Sequence, residues 1–517
     1  MDQSPKRVRL RFNEPVESAL GSIRVFDGSS NRVDAEQVTR PSPREVAVAI
    51  DGDLPRGTYT VAWRVISADS DPINGAFVFH VKEPGPQPTG IAAQVLEETP
   101  LLVSAFYTGG RFFEFLLLLL CAGGVASLVY PLRSADERLH RRLYGLLAAA
   151  AAGLFVFALL GLPFQGAAAA GRGLGEAFQW DVISAVADTR YGNVELARAG
   201  LAVLLVVVAI FLRRSSTDRA QQVGRGAAAA LAAGLVATPS FGGHASVSGN
   251  LALAADIAHV LTAAMWVGGL AFVVIALVYA LEDRWPLATR SVPRFSKMAL
   301  ASVAILLVAG AVNGYLQVRA WQGLWGTQYG LLLLAKVGLV LPLVGLGAYN
   351  NRYAVPRLRA GVAQPRERRR FLQAAGMELA VMVGVIGVTA VLVNAAPAKD
   401  RLEMHNEEPM AVELGGVPVH LSVEPGTAGR NEIHLEVMGH ATGMKPAFDE
   451  VTVDASLASQ GIGPVRYTAR PVAEGAEYVV RGANFAIPGD WNLRIEARRG
   501  EFDLFTESVS VRIQEGS

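Results

Sequence analysis

Eight apolar stretches, each near the length a helix needs to cross a bilayer, fill the middle of the chain and leave few folds open to it. They run over about 102–130, 143–164, 194–212, 226–243, 251–281, 298–318, 329–350 and 371–396. A hydrocarbon core about 30 Å thick takes roughly 20 helical residues. Backbone polar groups in lipid must bond one another, so such stretches are read as helices. At 51% hydrophobic and only 18% charged, the 517 residues are richer in apolar side chains than most soluble proteins.

The connecting segments set an orientation. Segments 131–142, 213–225, 282–297 and 352–370 hold 19 Lys and Arg together, whereas 165–193, 244–250 and 319–328 hold 3. Lys and Arg accumulate on the cytoplasmic side, so both ends of an eight-helix bundle are expected to face outward.

Both flanks change period. Residues 1–85 alternate apolar and polar, as in Val8, Leu10, Phe12 and again in Tyr59, Val61, Trp63, Val65. Short alternating strands between Gly, Pro and Asp turns indicate a small β-sandwich. The Pro/Gly-rich "KEPGPQPTG" opens a linker over 86–101, and a membrane domain follows over 102–397. From 398 to 517, strands such as "NEIHLEV", "VTVDASL" and "WNLRIEA" indicate a second extracytoplasmic β-sandwich. A folded domain ahead of an outward-starting helix requires a secretory signal, so the sequence is read as opening at a mature or truncated start.

Several classes are set aside. A net charge of +1, with basic residues in short separated runs, argues against nucleic acid as a partner. The single cysteine, Cys121, lies in an apolar run and is read as an inert buried thiol. No Ser-His-Asp set, Walker loop or phosphorylated-aspartate motif stands out, so the chain is not read as an enzyme.

Polar residues inside a bilayer are costly and usually face a bundle interior or a water-filled cavity. In the deduced orientation, Arg111, Glu114, His244, Asp256, His259, Asn313, Gln317, Tyr329 and Lys336 all fall in the outer half of the bundle. Asp256, His259 and Trp266, at i, i+3 and i+10, share roughly one helix face. Arg111 and Glu114, at i, i+3, are expected to pair with each other, and Lys336 with Asp256, Glu114 or an anion. Glu378 falls toward the cytoplasmic end, either on an exit path or bonded to a neighbouring helix.

Two family resemblances sharpen this reading. "VRLRFNEPVE", "LPRGTYTVAWRVISAD" and "PINGAFVFHV" resemble the CopC copper-binding domain, a periplasmic β-sandwich. That family holds Cu(II) with an N-terminal histidine and with the aspartate and histidine of an S-A-D-G-H-P turn. The matching turn here is "SADSDP": Asp69 matches the aspartate, Asp71 replaces the histidine, and the chain opens "MDQSPKRVRL". With two of three ligands lost, the resemblance implies a degenerate site in which Asp69 and Asp71 serve the turn. "GHASVSGNLALAADIAHVLTAAMWVGGL", "GAVNGYLQV", "TQYGLLLLAKVGLV" and "YNNRY" resemble the CopD family of copper-resistance and copper-import membrane proteins. That resemblance makes His244 and His259 the leading metal ligands, with Asp256 as a third ligand or an orienting carboxylate. Arg111, Glu114, Trp266, Asn313 and Lys336 are their intramembrane polar support.

The tail adds a tentative site. His434, Met438 and His440 fall on the outward face of the strand "NEIHLEVMGH", and thioether with imidazole favours Cu(I). The tail weakly resembles the YtkA/FixH-like domains found beside copper-handling modules. The whole is read as a copper-handling protein of a bacterial cytoplasmic membrane. It takes Cu(I) or Cu(II) from the extracytoplasmic side, with periplasmic copper chaperones as possible donors, and moves it across or within the bilayer. The alternative is a redox protein whose bundle histidines ligate haem.

Overall fold

In a computed structural model the protein is described over residues 4–514, apart from 13–15, 19–22, 68–71, 83–99, 247, 281–283, 319–320, 322, 361, 363, 396–397, 399–409, 425, 439–446, 473–476 and 501–502. The chain divides into two compact units, one of residues 1–100, 169–172 and 400–517 and the other of residues 101–168 and 173–399.

The first unit opens with seven strands, β1 (Arg7–Arg11), β2 (Val16–Ser18), β3 (Ile23–Phe26), β4 (Asp34–Ser42), β5 (Glu45–Ile50), β6 (Gly57–Ser67) and β7 (Pro72–Val81). They form a three-stranded sheet ordered β1-β5-β4 and a four-stranded one in which β6 pairs with β2, β3 and β7. The alternation read from the sequence delivers Val8, Val25, Val48, Val61, Trp63 and Phe79 to a shared core. Phe12 meets the Trp63 ring edge-on with 5.4 Å between centroids.

Among the described residues the tail has eight strands: β8 (Met410–Leu414), β9 (Val417–Glu424), β10 (Gly429–Val437), β11 (Glu450–Leu457), β12 (Ile462–Val472), β13 (Glu477–Phe485), β14 (Gly489–Arg499) and β15 (Asp503–Ile513). They are linked in one antiparallel sheet ordered β15-β14-β11-β12-β13-β10-β9-β8, whose first and last strands approach each other. The expected all-β tail is therefore barrel-like, and not two stacked sheets. Closing the sheet on itself covers the two edges that a sandwich leaves open. Trp491, Phe485 and Tyr478 fill the interior, and the Trp491 indole N–H reaches the Ile487 carbonyl at 3.0 Å.

The second unit carries eight long helices: α1 (Leu101–Val129), α2 (Glu137–Ala170), α3 (Arg190–Arg214), α4 (Asp218–Gly242), α5 (Asn250–Tyr279), α6 (Arg284–Val318), α7 (Gln328–Tyr349) and α8 (Pro365–Leu392). Among the described residues, seven are long and apolar enough to cross a membrane, and α4 is not one of them. This corrects the expected eight. Helix α4 draws its apolar character from Ala and Gly, which lower its hydropathy, and it carries Arg219, Gln221, Gln222 and Arg225 near one end and Thr238, Pro239 and Ser240 near the other.

Helix α5 is the packing centre. Where it crosses α1, a Cβ on Gly123 would collide with the Ala264 carbonyl and the Gly268 backbone, and one on Gly268 would collide with the Leu119 carbonyl. Small residues let two membrane helices approach this closely, since packing and not the hydrophobic effect drives their association. Ser127 Oγ donates to the Gly269 carbonyl at 3.2 Å one turn along. These contacts hold α5 in place for the polar residues nearer its N-terminus.

Candidate metal site

Asp256 of α5 is where polar side chains converge in the bundle. Ser240 Oγ of α4 donates to its Oδ2 at 2.7 Å, and Asn313 Nδ2 of α6 donates to its Oδ1 at 3.2 Å. Lys336 and Tyr329 of α7 act on the same carboxylate electrostatically. Three helices thus meet at one aspartate among the described residues, and the charge of Lys336 acts on it from a fourth. Pro239 stands beside Ser240 near the end of α4, where the chain leaves the helix before the short 3-10 turn His244–Ser246.

His259 stands one turn further along α5. Its Nδ1 is buried with no hydrogen-bond partner, and the Leu306 carbonyl of α6 acts on the ring. Gly310 of α6 makes room for the imidazole: a Cβ there would stand 3.3 Å from Cε1 and 3.4 Å from Nδ1. A buried imidazole nitrogen with a vacant lone pair is the form in which histidine binds metal. The arrangement offers one imidazole donor and, a turn above it, a carboxylate oriented by two hydrogen bonds. Lys336 beside that carboxylate competes with any entering cation.

Other predicted residues fall differently. The side chain of His244 lies outside the described ones, as do Asp69, Asp71 and His440. Trp266 is buried two turns below His259 and lines a cavity of about 130 Å³ with Phe295, Asn350 and Glu378. There Asn350 Nδ2 donates to Glu378 Oε1 at 2.6 Å, so Glu378 bonds a neighbouring helix. His140, expected in a loop, lies in the first turn of α2 with Nδ1 against the Asp136 carbonyl at 3.1 Å.

Arg111 and Glu114 do not pair with each other. Arg111 lies over the rings of Tyr107 and Tyr191 and donates to the Tyr107 hydroxyl, whereas Glu114 pairs with Arg198 of α3. Arg198 also binds Glu195 at 2.6 Å and Thr238 of α4 at 2.8 Å. Sequence reasoning missed Glu195, Arg198, Thr238, Ser240 and Gly310. Glu195 and Arg198, an acid and a base at i, i+3 inside an apolar run, carried the one signal that could have been found.

In the tail, His434 is not joined to Met438. Four residues of strand separate them by about 13 Å, too far for one ion, and Met438 is exposed. The neighbours of His434 are glutamates. Among the described residues, no three His, Cys, Asp or Glu side chains stand gathered as a ready-made metal cage.

Comparison with known proteins places the chain. Its residues 1–82 match the CopC domain, 102–253 the copper resistance protein D-like N-terminal domain, and 289–392 copper resistance protein D. It is 28% identical to the copper transport protein CutJ of Bacillus subtilis (strain 168), over 98% of this chain and 93% of that protein. It is 27% identical to the inner membrane protein YebZ of Escherichia coli (strain K12), over 44% of this chain and 76% of that one. Copper resistance protein C of Escherichia coli is 29% identical, over 15% of this chain and 69% of its own length. These are families of copper transport and resistance and not an enzyme class. Three segments of the chain thus match copper resistance families, a CopC domain followed by two copper resistance protein D regions.

Proposed function

We propose that the bundle takes copper from the extracytoplasmic side at His259 and Asp256 and passes it across or into the bilayer. In this reading α4 crosses beside the seven more apolar helices, so that both termini face outward, in a bacterial cytoplasmic membrane. The observation that carries it is the juxtaposition on α5 of a buried, unpartnered His259 Nδ1 and a carboxylate held by Ser240 and Asn313. Copper is the cargo and needs only transient ligands. Lys336 offsets the Asp256 charge while no cation is present, and an entering ion competes with that ammonium, which keeps binding weak enough to release. His244, on the turn between α4 and α5, is the proposed entry ligand. The copper in the descriptions of CutJ and of the two matched copper resistance protein D families favours this reading over haem. The test is elemental analysis of cells with and without the protein, at equal external copper. A rise in cell-associated copper with the protein supports the reading, and equal copper contradicts it.

A further inference from the structure

A second constellation, on the tail barrel, is independent of the bundle. His434 of β10 projects from the outer face of the sheet, since the alternate residues Ile433 and Leu435 are buried. Around it stand Glu424 of β9, Glu432 of β10 and Glu477 of β13. Glu432 faces Glu424 directly in the ladder, and His434 faces Ser422 two pairs further on, on the same face.

The imidazole is held at one end and vacant at the other. Its Nδ1 lies 2.7 Å from Glu477 Oε1. A carboxylate accepts, so Nδ1 carries the proton and donates, which fixes the ring and its tautomer. The opposite nitrogen, Nε2, is buried with no hydrogen-bond partner. It stands 3.7 Å from Glu432 Oε2 and 3.8 Å from Glu424 Oε2.

Those two distances are too long for an N–H donating to either carboxylate. They are close to what a metal ion requires. Donors about 2.0–2.2 Å from a tetrahedral centre lie about 3.4 Å apart, so each of the two nitrogen–oxygen separations needs to close by a few tenths of an ångström. The same atoms also present a charge problem, because two carboxylates directly opposite each other repel. Arg481 faces Glu432 from β13 and offsets part of that charge.

We infer that His434 Nε2, Glu424 and Glu432 form a binding site for a divalent transition-metal ion, with Glu477 as the carboxylate that orients the imidazole. One nitrogen and two carboxylates suit a borderline divalent ion, and affinity for such a set rises to a maximum at Cu(II). The thioether of Met438 is not part of it, so this site favours a divalent ion over Cu(I). The site lies entirely within β9, β10 and β13 and does not depend on what the bundle carries.

The test uses the full-length chain in detergent with His244→Ala and His259→Ala, which remove both proposed bundle imidazoles, titrated with Cu(II) and read by electron paramagnetic resonance. One Cu(II) coupled to a single nitrogen is expected. His434→Ala should abolish that signal, and the double variant Glu424→Gln, Glu432→Gln should weaken binding at least tenfold. Glu477→Gln should keep the signal with binding weakened about 10–100-fold, as loss of an orienting carboxylate does. A nitrogen-coupled signal that survives His434→Ala overturns the site, and so does absence of Cu(II) binding by the parent. Because copper uptake is not measured, a failure here leaves the bundle reading standing, and the reverse also holds.

Discussion

Arg198 of α3 and Glu114 of α1 form a buried ion pair across two helices, and each side chain is 3–4% exposed. Arg198 completes its donors with Glu195 and Thr238, so three helices are tied at one guanidinium. Removing Arg198 leaves Glu114 and Glu195 buried without this cation, and removing Glu114 strips Arg198 of one of its two carboxylates, at a cost of up to about 3–5 kcal/mol. Glu114→Ala and Arg198→Ala should therefore lower the thermal midpoint of the purified protein sharply. Glu114→Gln and Glu195→Gln combined with Arg198→Met should recover most of the loss, because similar volume without charge is tolerated in such sites. Equal midpoints for Glu114→Ala and wild type would remove the tie from the account.

Asp256 owes its orientation to two donors. Ser240→Ala or Asn313→Ala alone should weaken copper binding about 10–100-fold, the usual effect of losing a partner that positions a ligand. The fold should persist, since neither residue bridges core side chains. Copper affinity of each variant, with the melting curve as control, checks this. A loss of stability as large as that of Glu114→Ala would recast both residues as structural.

Gly310 is required by the space that His259 occupies. An added Cβ at 3.3–3.4 Å from the ring is tighter than ordinary contact, so Gly310→Ala should reduce copper binding modestly and Gly310→Val should abolish it by displacing the imidazole. Binding by Gly310→Val equal to wild type would mean that the ring is not the ligand.

Acid sensitivity of the first β-sandwich centres on Asp27. Partial burial pushes its carboxyl up, but hydrogen bonds from the Asn31 side chain and from the Asn31 and Ser29 amides outweigh this and hold it below the usual 3.8. A carboxyl depressed in the folded state gives stability that is present above the unfolded value and is lost as pH falls through the folded one. Amide exchange at Ser29 and Asn31 should accelerate as pH drops below about 4 relative to a neighbouring strand amide. Asp27→Asn should remove that dependence, and an unchanged profile would contradict it.

Periodicity made the architecture legible. Val61, Trp63 and Val65 alternate into the first core, and the apolar runs become helices, although α4 and α6 begin at Asp218 and Arg284, well before the expected 226 and 298. The count erred at α4, because Ala and Gly are compatible with a membrane helix without making it apolar enough to be one on hydropathy. Asp256, His259, Asn313 and Lys336 were legible as polar residues at one level of the bundle. Who pairs with whom was not: the i, i+3 spacing of Arg111 and Glu114 is overruled by Arg198, which is 84 residues away from Glu114 and reaches it through tertiary packing. The same limit hid the carboxylates around His434, which come from three strands. The single-strand pairing of His434 with Met438 failed on strand rise alone.

The central claim is that the His259 imidazole is the copper donor of the bundle, with Asp256 beside it. The most direct test is copper uptake into proteoliposomes that hold wild type, His259→Ala or Asp256→Asn, each with its melting curve. The account predicts uptake lost in His259→Ala, reduced in Asp256→Asn, and both proteins folded. Wild-type uptake by a folded His259→Ala protein would contradict it and leave His259 as a polar contact between α5 and α6.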